Sequence, residues 1–216
     1  MYNLCLFDLD GTLTDPKVGI TKSVKHALAH FGIEVPSLDA LEKFIGPPLR
    51  DSFREFYGFT PEEAELAVAK YREYFPTKGI FENELYPGIM ETLAKLQAHN
   101  ITMAMATSKP TIYAEIIAEH FGFKRYFTAI IGSELDGRRG KKSEVIEYVL
   151  ETLDPKRQMK PIMIGDRNYD IIGANETAIS SIGVTWGYGS QAELAAAGAT
   201  FIAGSPGELS EIILRQ

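Results

Sequence analysis

The chain is poor in the residues that build disulfide frameworks, zinc centres and membrane spans. Its single cysteine, Cys5, has no partner for an internal disulfide, in keeping with a reducing compartment. Cys5 lies inside an apolar run and reads as a small buried hydrophobe, not a nucleophile. Only four histidines occur, His26, His30, His99 and His120, all within helical patterns. His26 and His30 stand four apart, as in H-E-x-x-H, but Ala27 occupies the place of the glutamate, which argues against a zinc site. No apolar run approaches the roughly 18 residues of a membrane span. The first residues enter an apolar stretch without the basic region and cleavage site of a secretory signal, so a soluble, cytoplasmic protein is expected. Positive charge is also short. With 22 Lys+Arg against 29 Asp+Glu the net charge is −7, which disfavours a nucleic acid polymer or an anionic membrane as principal partner. Any phosphate-bearing substrate must therefore meet a local cation or a metal.

What is present is concentrated in the stretch Leu4-Cys5-Leu6-Phe7-Asp8-Leu9-Asp10-Gly11-Thr12-Leu13-Thr14-Asp15. An apolar run ending in two aspartates one residue apart, then Gly and Thr, reads as a buried strand delivering carboxylates to a turn at its C-terminal end. The same residues also fit a β-hairpin, because Asp-Gly between apolar runs is a two-residue turn signal. A calcium loop starting at Asp8 is disfavoured, since Leu13 stands where glycine is needed and Gly19 where glutamate is needed.

The length, 216 residues, suits one domain or a domain with a modest insertion. Residues 16 to 80 show only helical patterns. Ile20, Val24, Ala27, Leu28 and Phe31 mark one helical face, Gly46-Pro47-Pro48 breaks the pattern, and Thr60-Pro61-Glu62-Glu63 reads as a capping box opening a long helix. From Pro87 onward, short apolar strands alternate with helices, which indicates a parallel sheet covered on both faces. The expected fold is α/β, a Rossmann-like parallel sheet formed by residues 1–15 and 81–216, with a small all-helical cap, residues 16–80, inserted after the first strand.

In open α/β sheets ligands bind beyond the carboxyl ends of the strands. The first strand delivers Asp8 and Asp10 there, the strand from Ile101 delivers Thr107 and Ser108, and the strand from Pro161 leads into Gly165-Asp166-Arg167-Asn168-Tyr169-Asp170. A basic cluster, Arg138-Arg139-Gly140-Lys141-Lys142, opens a helix between them. Each feature has an ordinary reading: Thr107-Ser108 or Asp166 as a helix cap, the basic cluster as a solvated loop. Their coincidence in one sheet points to a reaction site. Clustered carboxylates raise one another's pKa unless a cation is present, and oxygen-only donors select a hard ion such as Mg²⁺. A carboxylate there can attack phosphorus, and a second can protonate the leaving oxygen and later activate water.

With these motifs in order, the chain resembles the haloacid dehalogenase (HAD) superfamily, on its phosphoglycolate phosphatase-like side, over nearly its whole length. The resemblance implies Asp8 as nucleophile, Asp10 as acid/base, Thr107 as a hydrogen-bond donor to the transferring phosphoryl group, and a lysine near residue 142 as the charge-neutralising group. It further implies a Mg²⁺ held by Asp8, Asp166 and the main-chain carbonyl of Asp10, with Asp170 acting nearby, and a helical cap closing over a small phosphorylated metabolite. Dehalogenases lack an acid at the position of Asp10, so phosphate chemistry is expected.

Lys141-Lys142-Ser143-Glu144-Val145-Ile146 departs from the Lys-Pro-x-Pro typical of the phosphoglycolate branch and is similar to the bacterial HAD-like 5′-nucleotidases. Lys142 is preferred as the site lysine, with Lys141 the alternative. Gly187-Tyr188-Gly189-Ser190 resembles the same branch and equally fits a glycine turn. In the cap, Arg50 after Gly46-Pro47-Pro48-Leu49 is expected to meet an anionic group of the substrate. The alternatives are a sugar-phosphate mutase of the β-phosphoglucomutase kind and a non-catalytic phosphate-responsive regulatory protein. A monomer or homodimer is expected.

Overall fold

The structure, a computed structural model, describes residues 2–215. Strand β1 (Leu4–Phe7) is buried at every position, as a strand covered on both faces must be. The chain then turns through Asp8 to Leu13 into a two-residue strand, β2 (Thr14–Asp15), and continues as helices α1 (Lys17–His30), α2 (Leu49–Tyr57) and α3 (Pro61–Tyr74). A second two-residue strand, β3 (Glu84–Leu85), pairs with β2. Strands and helices alternate thereafter: α4 (Ile89–Ala98), β4 (Thr102–Pro110), α5 (Thr111–His120), β5 (Ala129–Ser133), α6 (Lys142–Leu153), β6 (Pro161–Gly165), α7 (Asn168–Glu176), β7 (Ser180–Val184), α8 (Gln191–Ala196), β8 (Phe201–Ala203) and α9 (Pro206–Arg215).

The main sheet has the order β5-β4-β1-β6-β7-β8, and its pairings are parallel. Strand order therefore reverses at β1, and the crevice between β1 and β6 is where such a sheet binds ligands. Register carries Phe7 opposite Met105 on one side and Ile164 on the other, so Asp8 and Asp166 both emerge at the carboxyl edge of the sheet. Beneath that edge Leu4, Leu6, Ala104, Ala106 and Met163 pack against Val145, Ile146, Val149 and Leu150 of α6. Burial of each Leu, Ile, Val or Met side chain among them contributes roughly 1.5–3 kcal/mol, which makes the sheet a rigid base for the groups above it.

The chain forms two compact units, one taking it through Thr14 and from Leu85 onward, the other spanning Asp15–Glu84. The second unit is helical and has its own aromatic core, with Phe44 and Phe53 ring centroids 5.0 Å apart and Phe53 stacked on Phe59 at 5.9 Å. Its α3 opens with the expected capping box, in which the Glu63 amide donates to Thr60 Oγ1 and the Thr60 amide donates to Glu63 Oε2. Among the described residues no helix is long and apolar enough to cross a membrane.

Two local readings change. The Asp-Gly stretch is not a hairpin, because β1 is flanked by β4 and β6 instead of pairing with the chain that follows it. Strand β4 extends beyond Thr107 to Pro110 through an irregular register, so Thr107 belongs to the strand and caps no helix; its Oγ1 accepts from the Lys109 amide at 3.2 Å.

Candidate active site

The carboxyl edge of β1 carries the first two acids. Asp8 follows the strand directly, its amide donating to the Ile164 carbonyl at 2.8 Å, and Asp10 lies on the turn beyond it. That turn needs Gly11: its φ is +84°, a left-handed conformation costly for other residues, and an added Cβ would lie 2.2 Å from Asp166 Oδ2. The turn is thus folded directly against the acid from β6.

Lys142 reaches the same place because of its position on α6. It lies one turn before Val145 and Ile146 on the buried face of the helix, so its stem continues the apolar stripe and its ammonium emerges beneath the strand ends. Nζ stands 2.9 Å from Asp8 Oδ1 and 2.8 Å from Asp170 Oδ1, and donates to the Ala106 carbonyl at 3.1 Å. Lys141, one residue earlier, is the N-cap of α6, with extended backbone, and is exposed. The remaining cations of the cluster are held elsewhere, Arg138 by Asp136 and Arg139 by Glu134 and the Gly132 carbonyl. Of the basic cluster, Lys142 alone pairs with the site's carboxylates.

Asp166 is wholly buried and accepts from the Tyr188 amide on Oδ2 at 2.7 Å and from the Thr12 hydroxyl on Oδ1 at 3.4 Å. It does not cap α7, whose N-cap is Arg167; Asp170, in the first turn, reaches back and accepts from the Arg167 amide at 3.1 Å. One oxygen from each of Asp8, Asp166 and Asp170 lies within 4.8 Å of the others. Burial, reinforced by the charges of Asp170 and Asp8, pushes Asp166 well above the usual carboxylate range. Asp170 rises to about 6, mainly through burial, with Lys142 opposing. Burial works against the Lys142 cation, but the two flanking carboxylates outweigh it and shift the group upward.

These residues fit a hard divalent ion. The donors are carboxylate oxygens, and an octahedral ion with bonds of about 2.0–2.1 Å would need them about 3–4 Å apart, compatible with the observed spread. Four buried carboxyls, Asp8, Asp10, Asp166 and Asp170, stand against two buried lysines, Lys109 and Lys142, an excess of acid that a divalent cation would offset. Asp8 Oδ1 and Asp170 Oδ1 are held by Lys142 as ion pairs, and Asp10 Oδ1 has no hydrogen-bond partner among the described residues.

Asp10 is outside the three-carboxylate group; its Oδ2 pairs with Lys109 Nζ at 2.7 Å. Burial raises the Asp10 carboxyl, with Lys109 opposing the shift. Thr107 is buried on β4, two residues past the partner of Phe7, while Ser108 is half-buried and its carbonyl accepts from the Ser133 hydroxyl at 2.8 Å. Arg50 belongs to the helical unit, on α2, and is ion-paired with Glu65 of α3. Sequence reasoning missed Lys109, Thr12 and Trp186. The indole of Trp186 donates to the Thr12 carbonyl at 3.0 Å, and only the placement of β7 beside β6 brings it there.

Residues 5–184 match the haloacid dehalogenase-like hydrolase family. The chain is 49% identical over 195 residues to a 5′-nucleotidase from Pseudomonas aeruginosa, covering 90% of this chain and 88% of that protein. It is 33% identical over 194 residues to a phosphoglycolate phosphatase from Agrobacterium fabrum, covering 86% and 81% respectively. The crystal structure of a predicted phosphatase from Clostridium acetobutylicum matches with a TM-score of 0.96 and 50% identity over 100% of both chains.

Proposed function

The chain belongs to the haloacid dehalogenase-like hydrolase family and is a phosphatase within it, and on that premise we propose that it is a Mg²⁺-dependent hydrolase of small phosphomonoesters, acting through an aspartyl phosphate on Asp8. The observation that carries this reading is Lys142, whose buried ammonium lies within 3 Å of both Asp8 and Asp170. A nucleophilic carboxylate attacking an anionic phosphoryl group needs a fixed positive charge, and a low-dielectric setting makes that charge effective.

In this reading an Asp8 carboxylate oxygen attacks phosphorus, forming the oxygen–phosphorus bond of the acyl phosphate as the ester oxygen departs. Asp10 gives the leaving oxygen its proton, then takes one from the water that cleaves the acyl phosphate. Thr107 donates to a phosphoryl oxygen, and Lys142 balances negative charge in both steps. Mg²⁺, held by Asp8, Asp166 and Asp170, would supply electrostatic stabilisation of the phosphoryl oxygens. The helical unit is assigned the role of a cap that excludes water during the first step, and Arg50 that of binding an anionic group of the substrate.

The preferred substrates are nucleoside 5′-monophosphates. Support comes from Lys142-Ser143-Glu144-Val145-Ile146 and from the higher identity to the 5′-nucleotidase than to the phosphoglycolate phosphatase. The test is phosphate release from a panel of nucleoside monophosphates, phosphoglycolate, pyrophosphate and sugar phosphates, with Mg²⁺ and with EDTA. The expected result is EDTA-sensitive release with the highest kcat/KM on nucleoside monophosphates. A higher value on phosphoglycolate would reassign the substrate, and EDTA-insensitive release would remove the metal from the reading.

A further inference from the structure

The loop after β7, Thr185-Trp186-Gly187-Tyr188-Gly189-Ser190, closes on the candidate site from one side. It touches two elements at once. Toward the nucleophile turn, the Trp186 indole N–H donates to the Thr12 carbonyl at 3.0 Å. Toward β6, the Tyr188 amide donates to Asp166 Oδ2 at 2.7 Å. Thr12 itself, fully buried, donates its hydroxyl to Asp166 Oδ1 at 3.4 Å, so the three interactions form a closed ring of contacts around one carboxylate.

The glycines show how tightly this ring is drawn. A Cβ at Gly187 would lie 2.2 Å from the Gly11 carbonyl oxygen and 2.4 Å from Asp166 Oδ2. A Cβ at Gly189 would lie 2.0 Å from the Asp166 carbonyl oxygen. No side chain fits at either position without displacing the backbone or Asp166. The glycine turn therefore allows the loop backbone to approach the acid closely enough for an amide to hold it.

We propose that Trp186 is a positioning residue: by fixing the loop to the nucleophile turn through Thr12, it holds the Tyr188 amide and the Thr12 hydroxyl on the two oxygens of Asp166 in the orientation a divalent cation requires. This rests on the reading of Asp166 as a metal ligand. With Oδ2 held by the Tyr188 amide and Oδ1 by the Thr12 hydroxyl, the Asp166 carboxylate is restrained from rotating, beside the oxygens of Asp8 and Asp170 with which it would share a cation. A ligand so oriented loses less freedom when the ion binds, which is how groups behind a ligand raise affinity.

The experiment is Mg²⁺ titration by calorimetry on the full chain, with the melting temperature of metal-free protein measured in parallel. Trp186→Phe removes the N–H and keeps an aromatic ring; Thr12→Val removes the hydroxyl at nearly constant volume; Thr12→Ser returns it. Asp166→Asn is the control for the metal reading. Expected are loss of binding in Asp166→Asn, weakening by about tenfold or more in Trp186→Phe and Thr12→Val, and near wild-type affinity in Thr12→Ser. If Asp166→Asn abolishes binding while Trp186→Phe and Thr12→Val weaken it by less than about threefold, the proposal is overturned, whatever happens to the melting temperature. If Asp166→Asn binds Mg²⁺ as wild type does, the metal reading itself fails. Should Trp186→Phe not fold, replacement of Trp186 by β-(3-benzothienyl)alanine, which keeps the indole shape without its N–H, decides by the same tenfold and threefold limits.

Discussion

Lys109 Nζ lies 2.7 Å from Asp10 Oδ2, and both side chains are almost wholly buried. The carboxyl proposed to carry a proton in turn is thus tied to a cation at the far end of β4, while the nucleophile Asp8 is tied to a different one, Lys142. Two acids two residues apart sit in separate ion pairs, which gives a physical basis for separate roles. Replacing Lys109 by Met should strand a buried carboxylate and cost about 3 kcal/mol or more, with Asp10→Asn in the same chain recovering much of the loss. Urea denaturation of the two single variants and the double variant measures this, and additive effects would show the pair to be uncoupled.

The two adjacent lysines of the basic cluster should separate cleanly. Lys142→Ala is expected to lower kcat/KM by about 10²–10³-fold, the loss typical of removing one fixed electrostatic group from a reacting centre. Lys141→Ala, at an exposed position, should leave kcat/KM close to wild type. Steady-state kinetics on the best substrate checks both, and equal losses would mean that the helix start, not the Lys142 ammonium, matters.

Gly11→Ala combines a left-handed backbone with a collision against Asp166. Destabilisation of about 2 kcal/mol or more is expected, together with loss of Mg²⁺ binding because Asp166 must move. Denaturant midpoints and calorimetry read the two effects, and unchanged metal affinity would show that the turn yields while the acid stays.

Cys5 gives a pH-dependent prediction remote from the chemistry. Burial pushes its thiol above the ordinary value of 9.0, so the folded chain keeps a proton that the unfolded chain releases. The stability this contributes is fully present below about pH 9 and declines as pH rises beyond it. Native protein should resist a thiol reagent at pH 8 and react once denatured, and Cys5→Ala should lose less stability than wild type between pH 8 and pH 10. Rapid labelling of the native state would show that β1 opens readily.

The legibility of the fold follows from its periodicities. Buried parallel strands are apolar throughout, and the face formed by Val145, Ile146, Val149 and Leu150 repeats at helical spacing, so both can be read locally. Strand-end logic likewise points to Asp8, Asp10, Asp166 and Asp170, whereas the preference for Lys142 over Lys141 rests in the sequence on resemblance alone, and the buried face of α6 supplies its physical reason. The two-residue strands β2 and β3 are too short for any period to register. Lys109 carries no local sign of burial, because Asp10, the group that neutralises it, lies far away in sequence and the irregular end of β4 sets its direction. Trp186 is illegible for the same reason: its partner Thr12 is 174 residues distant, and only the sheet order joins them.

The central claim, that phosphoryl transfer passes through Asp8, is tested most directly by trapping. Protein mixed with its best substrate and Mg²⁺ is quenched in acid, reduced with borohydride and mapped by mass spectrometry. The account predicts reduction of the Asp8 side chain in wild type, the mark of an acyl phosphate, and neither that product nor turnover in a folded Asp8→Asn variant. Sustained turnover by Asp8→Asn, or a trapped group on any other residue, would contradict it.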